Sequence, residues 1–202
     1  MVSILLAGLV MGMRHALEAD HLAAVASLAV RTSGVRGSVA RGVAWGVGHT
    51  LTLFVVGGSC LLLGATVPDD VAVALERGVG LMLLVLGGDV VWRVRRQGVH
   101  LHVDAHPGVF PRRALLVGLV HGTAGSAALL LLAVASAASG WRGLLYIALF
   151  GAGSIFGMAL LSAVIAIPMR TSARAGNMYV GFQALLGLGT ASMGVWMLAQ
   201  GR

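Results

Sequence analysis

Lysine is missing from the chain; all fourteen cationic side chains are arginine, a bias of genome composition rather than of mechanism. Cysteine is nearly missing too. The single Cys60 excludes an internal disulfide and any multi-cysteine zinc or redox motif. Charge of either sign is scarce, at 10% of residues, where a soluble domain carries about 25%. No basic residue precedes the first apolar run, so no cleavable export signal is expected. What is plentiful is hydrocarbon: 58% of residues are hydrophobic and the mean hydropathy is +0.93. The apolar runs are continuous rather than alternating over about ten residues, which predicts membrane-spanning helices and not a barrel. A net charge of +7 would point to nucleic acid in a soluble chain. In a membrane chain it reflects topology, so the expected partner is a lipid bilayer and no nucleic acid.

Six spans are predicted, over 3–27, 42–66, 78–92, 114–137, 143–167 and 178–199. The third is short for a bilayer that needs about 20 helical residues. It is expected to begin earlier, near Val71, with Glu76 and Arg77 by the interface. Arginine placement supports the map. Ten arginines fall in the first, third and fifth loops (Arg31, Arg36 and Arg41; Arg93, Arg95, Arg96, Arg112 and Arg113; Arg170 and Arg174). Three, Arg77, Arg142 and Arg202, fall on the other side. The positive-inside rule then puts those loops in the cytoplasm and both termini outside.

The chain also resembles itself. Gly8-Leu9-Val10-Met11-Gly12 matches Gly118-Leu119-Val120-His121-Gly122, Gly46-Val47-Gly48-His49 matches Gly151-Ala152-Gly153-Ser154, and Val91-Trp92 matches Val195-Trp196. The offsets are 110, 105 and 104. Three spans are an odd number, so a second copy enters the membrane from the opposite face, as in inverted-repeat transporters. The expected organisation is a single transmembrane domain, 1–202: repeat A over 1–92, a cytoplasmic histidine- and arginine-rich loop over 93–113, and repeat B over 114–202.

Inside the first span lie Arg14, His15, Glu18, Asp20 and His21, five ionisable groups in eight residues. Such groups are costly in hydrocarbon and mark function. Histidine with carboxylate is a donor set for divalent metal. At about 1.5 Å per residue, His21, His49 and His121 come to one level, roughly six or seven residues from the cytoplasmic ends of three spans. His15 stands about one and a half turns further out. On a regular helix His15, Glu18 and His21 share one face and Asp20 does not. Either the helix is distorted, or Asp20 orients an imidazole on a neighbouring helix. An Arg14–Glu18 pair at i, i+4 would take Glu18 off the metal. A lone intramembrane histidine more often bonds a neighbouring helix than a metal; packing alone does not account for the cluster. Asp89 and Arg93 are expected to form an interfacial ion pair, Asp69 and Asp70 a solvated turn, and Cys60 ordinary packing. His100, His102, Asp104 and His106 make either a weak metal-sequestering loop or a merely polar one.

Arg14-His15-Ala16-Leu17-Glu18-Ala19-Asp20-His21 resembles the signature of the nickel/cobalt transporter family, whose core is H-x-x-x-x-D-H. Gly48-His49-Thr50 resembles that family's second motif, Gly-His-Ser/Thr. His121-Gly122-Thr123-Ala124-Gly125-Ser126 resembles its short, urease-accessory-type branch. The resemblance covers most of the chain. It implies a bacterial inner-membrane permease selective for Ni²⁺ or Co²⁺, with His15, Asp20 and His21 needed for transport and His49 nearby. Classical members have eight spans with the signature in the second; here it lies in the first. No equivalent of their aspartate- and threonine-rich later motifs is found, and Ser126 and Ser154 are the nearest polar groups.

The expectation is thus an all-α, six-span, multi-pass permease with an intramembrane metal site of His15, Glu18, Asp20, His21, His49 and His121. Ni²⁺ or Co²⁺ is its cargo, and no resident cofactor is expected. Two alternatives stay open: export, with the loop over 100–106 as collector, and a non-transporting accessory that hands nickel to metalloenzyme maturation. Further partners would be a second copy of the chain or nickel-enzyme accessory proteins. An enzyme is not expected, because no nucleophile is paired with a base.

Overall fold

A computed structural model describes residues 2–29, 34–97, 111–123, 141–172 and 177–200. Among them there is helix and no strand. The helices are α1 (Val2–His15), α2 (Ala19–Ala29), α3 (Val35–Leu63), α4 (Asp69–Gln97), α5 (Arg112–His121), α6 (Trp141–Ser172) and α7 (Asn177–Gln200). The histidine-rich loop, the second half of the predicted fourth span, Arg31 and Arg174 lie outside the described residues.

Among the described residues, four segments are long and apolar enough to cross a membrane: Val35–Leu63, Asp69–Arg96, Trp141–Pro168 and Tyr179–Gln200. They coincide with the predicted second, third, fifth and sixth spans. The third does begin earlier than its apolar run, at Asp69. Asp69 and Asp70 sit in the first turn of α4, and Arg95 and Arg96 in its last. Each charge opposes the partial charge of its helix end, which lets polar residues extend an apolar helix. Asp89 and Arg93 pair at 3.1 Å, as their spacing suggests, and Arg96 lies over the Trp92 ring. Helix α3 stops at Gly64, whose φ of 61° is the left-handed conformation that glycine adopts without strain.

The predicted first span is not one helix. Its backbone tightens after His15: the Leu17 N–H donates to the Arg14 carbonyl and the Glu18 N–H to the His15 carbonyl, both i to i−3. The Leu22 N–H then donates to the Glu18 carbonyl and starts α2. No proline or glycine marks this break. Ala16, fully buried, is pressed against Gly157 of α6.

The helices meet backbone to backbone. In α1 and α6, Gly12 lies against the Phe150 carbonyl and the Ser154 N–H, while Gly153 lies against the Leu9 carbonyl and the Met13 N–H. In α3 and α5, Gly118 lies against the Trp45 carbonyl and the His49 N–H, while Gly48 lies against the Leu115 carbonyl and the Leu119 N–H. In α4 and α7, Gly87 lies against the Gly187 carbonyl and the Ala191 N–H, while Gly194 lies against the Gly80 carbonyl and the Leu84 N–H. The order of these contacts makes α1/α6 and α3/α5 parallel and α4/α7 antiparallel. Small residues allow this approach, which lipid-exposed helices need because hydrophobic burial does not drive their association.

The apolar core joins Val25, Leu28, Trp45, Leu83 and Met158 from four helices. Large apolar side chains also cover the outside, among them Leu62, Val85, Phe156, Leu160 and Leu185, a surface that suits lipid rather than water. One buried polar contact ties α2 to α7: the Ser27 hydroxyl donates to Thr190 Oγ1 at 2.9 Å. Thr190→Val is expected to lower stability by about 0.6 kcal/mol, and by no more than roughly 1.7 kcal/mol. Reversible unfolding in mixed micelles measures this.

Candidate metal centre

The break between α1 and α2 shapes the site. His15 is the last residue of α1, and Asp20 and His21 lie in the first turn of α2. His49 comes from the middle of α3 and His121 from the end of α5. All four imidazoles are buried, none more than 5% exposed. His15 Nε2 and His49 Nε2 lie 3.2 Å apart, so one carries the shared proton. The His21 ring is 4.3 Å from the His15 ring and 4.3 Å from the His121 ring, centroid to centroid. It is 5.1 Å from the His49 ring.

Asp20 works on two imidazoles. Its Oδ1 accepts from the His21 backbone N–H at 2.8 Å and lies 2.9 Å from His21 Nδ1. Its Oδ2 lies 3.0 Å from His121 Nε2. Both possibilities left open by helical geometry are therefore present: the helix is broken, and the carboxylate holds an imidazole on a neighbouring helix. Glu18 stands at the rim, half exposed, with Oε1 3.1 Å from His15 Nδ1. It turns to His15 rather than to Arg14.

His15 is also closer to the others than depth along a straight helix predicts. The non-helical turn over 16–18 folds it back beside His21 and His49.

The donors fall into two triads whose ligand atoms lie within 4.8 Å of one another: His15, His21 and His49, and Asp20, His21 and His121. Among the described residues, three buried ring nitrogens of the cluster have no hydrogen-bond partner, namely His21 Nε2, His49 Nδ1 and His121 Nδ1. Burying a polar atom unpaired costs free energy, and a cation among these imidazoles would relieve it. Imidazole and carboxylate suit nickel, cobalt or zinc, whereas Ca²⁺ and Mg²⁺ prefer an all-oxygen shell.

Two aromatic walls were not legible as site residues. Trp45, fully buried, has its ring 5.5 Å from that of His121 and 5.3 Å from that of His21. The Phe150 ring lies 5.4 Å from that of His15. The available signal was spacing: Trp45 stands one helical turn before His49, and Phe150 one turn before Ser154. Ser154 donates to the Gly12 carbonyl at 3.3 Å and belongs to the packing, not to the donor set.

Fold and site together define an all-helical protein with helices long and apolar enough to cross a membrane and a buried histidine–aspartate cluster among its helices. The chain belongs to the family of the urease accessory protein UreH. It is 34% identical to that protein from Bacillus sp. (strain TB-90) over 206 residues, covering 96% of this chain and 90% of the relative. No family model and no solved structure matches it.

Proposed function

We propose that the protein is a multi-pass inner-membrane permease that carries Ni²⁺ or Co²⁺ into the cell through the His15, Asp20, His21, His49 and His121 cluster. The observation that carries this reading is the gathering of four buried imidazoles and a carboxylate, three ring nitrogens of which have no partner, in a chain of apolar helices. Each imidazole already has one partner within the cluster, and a purely structural role gives no reason to bury the second nitrogen of His21, His49 and His121 unpaired. The relative's name ties that protein to urease, and urease maturation is the destination that name supports for imported nickel.

The architecture in this reading is six spans, both termini outside, in a 3+3 inverted repeat. Parallel α1/α6 and α3/α5 pairs and an antiparallel α4/α7 pair fit six alternating spans. The glycine contacts supply a register. Gly12 and Gly118 are 106 positions apart and meet carbonyls 105 positions apart, at Phe150 and Trp45. Gly87 and Gly194 are 107 positions apart and meet carbonyls separated by the same 107, at Gly187 and Gly80. The first span of each half thus packs on the second span of the other, and the third spans pack on each other. Sequence similarity alone pairs Gly12 with Gly122, one turn away. Glycines four residues apart satisfy both alignments, and the contacts favour Gly118.

Cells expressing the protein should accumulate radiolabelled nickel above the vector control, and His15→Ala should return uptake to that control. Wild-type rates in His15→Ala would contradict the site. Metal resistance in place of accumulation would mean export. A second reading, a non-transporting accessory, is favoured by the relative's name alone.

A further inference from the structure

The contact register makes His15 and His121 counterparts, since they too stand 106 positions apart. Their surroundings match. Each is the last residue of its helix. Each faces an aromatic ring from the partner span at nearly the same distance, Phe150 at 5.4 Å and Trp45 at 5.5 Å. Each ring centroid lies 4.3 Å from that of His21. The remaining donors do not match: His49 has Ser154 as its counterpart, and Asp20 leans to His121.

We infer that the cluster is two overlapping stations sharing His21, one of His15, His21 and His49 and the other of Asp20, His21 and His121, through which a single divalent cation is handed across the membrane. This rests on the transport reading above and deepens it. A two-fold that exchanges the two faces of the membrane exchanges His15 with His121, so each station serves one face. His21 belongs to both triads, so the stations are filled in turn rather than together. The outer imidazoles sit at helix C-termini, where the partial negative charge of the last carbonyls favours a cation. Their donor sets differ, three nitrogens against two nitrogens and an oxygen. The handover therefore changes the ion's ligands and is visible to a probe of coordination.

The test uses purified full-length protein in detergent with Co²⁺ as the probe. Titration gives stoichiometry and affinity, and X-ray absorption gives the number of bound imidazoles. Wild type should bind one Co²⁺ per chain. His49→Ala and His121→Ala should each still bind one, weakened by no more than about 10–100-fold, the range seen when a supporting group is lost. His121→Ala should keep a three-imidazole signature, and His49→Ala should show two imidazoles with oxygen. Both should lose flux in proteoliposomes, and His21→Ala should lose binding and flux together. Where an alanine variant leaves the monodisperse peak, His49→Gln or His121→Gln replaces it.

Two ions bound independently in wild type would overturn the shared station. So would single variants that lose Co²⁺ as completely as His21→Ala, which would mean one centre that needs every ligand. A wild type that carries nickel while showing either result keeps the transport reading and loses this one. A wild type that binds no Co²⁺ and carries no nickel loses both.

Discussion

His21→Ala is expected to lower nickel affinity by at least about 100-fold and to abolish flux, the largest functional effect of any single substitution in this chain. Loss of a group that merely orients a ligand costs about 10–100-fold. His21 does more, because its ring stands within 4.3 Å of two other imidazoles and it belongs to both donor triads. Its burial matters as well: His21 is 1% exposed, so alanine would leave a cavity between the Trp45, His15 and His121 rings. Equilibrium dialysis with radiolabelled nickel measures the affinity. His21→Asn, closer in size, separates lost ligation from lost packing, since it should retain the fold and still fail to bind. Binding within a few-fold of wild type in His21→Asn would move the site elsewhere.

The largest effect on assembly is expected at Gly12 and Gly118. A Cβ at Gly12 would overlap the Phe150 carbonyl, and one at Gly118 the Trp45 carbonyl. These are backbone atoms on helices held by other contacts, and cannot rotate aside as a side chain does. Overpacking a well-filled interior costs about 1–3 kcal/mol, and a backbone clash belongs at or beyond the upper end. Gly12→Val and Gly118→Val should therefore both lose the folded, monodisperse protein in detergent, and to a similar degree. Gly88→Ala is the control. No atom of the described residues outside its own helix backbone and chain neighbours lies within 4 Å of its added methyl group, and alanine is the better helix former by up to about 1 kcal/mol. Yield and thermal unfolding in micelles give the comparison. A well-folded Gly12→Val would mean that α1 and α6 do not pack as described.

Much of the architecture was legible because hydrocarbon thickness dictates helix length. The second, fifth and sixth spans were readable as apolar runs of the right size, the third as a run too short to cross alone, and charge at both ends of α4 explained its extension. The break over 16–18 was not. It carries no glycine or proline, and neither Arg14-His15 before it nor Asp20-His21 after it is a strong helix breaker. It arises from tertiary contact, as Ala16 seats on Gly157 and the backbone turns to bring His15 beside His49. The trace in sequence was a polar cluster too crowded for one face of one helix, which allowed a distorted helix as one of two alternatives but did not say where the distortion falls. The five clustered residues His15, Asp20, His21, His49 and His121 were all named from residue type and depth. Trp45 and Phe150 were not, because an aromatic in an apolar helix carries no mark of what it faces. Within the proposed repeat, the glycine contacts favour a register one turn from the one that the glycine strings suggest for the first span. Local strings of glycine cannot choose between adjacent turns, whereas a carbonyl in contact can.

Counterflow in proteoliposomes tests the central claim most directly. Vesicles containing the purified protein are loaded with unlabelled Ni²⁺ and diluted into a trace of labelled Ni²⁺. A permease exchanges the two, so label should accumulate transiently inside wild-type vesicles and not inside His21→Ala vesicles. Wild-type vesicles whose protein binds nickel, yet which take up no more label than protein-free vesicles, would contradict transport and leave an accessory that only holds the ion.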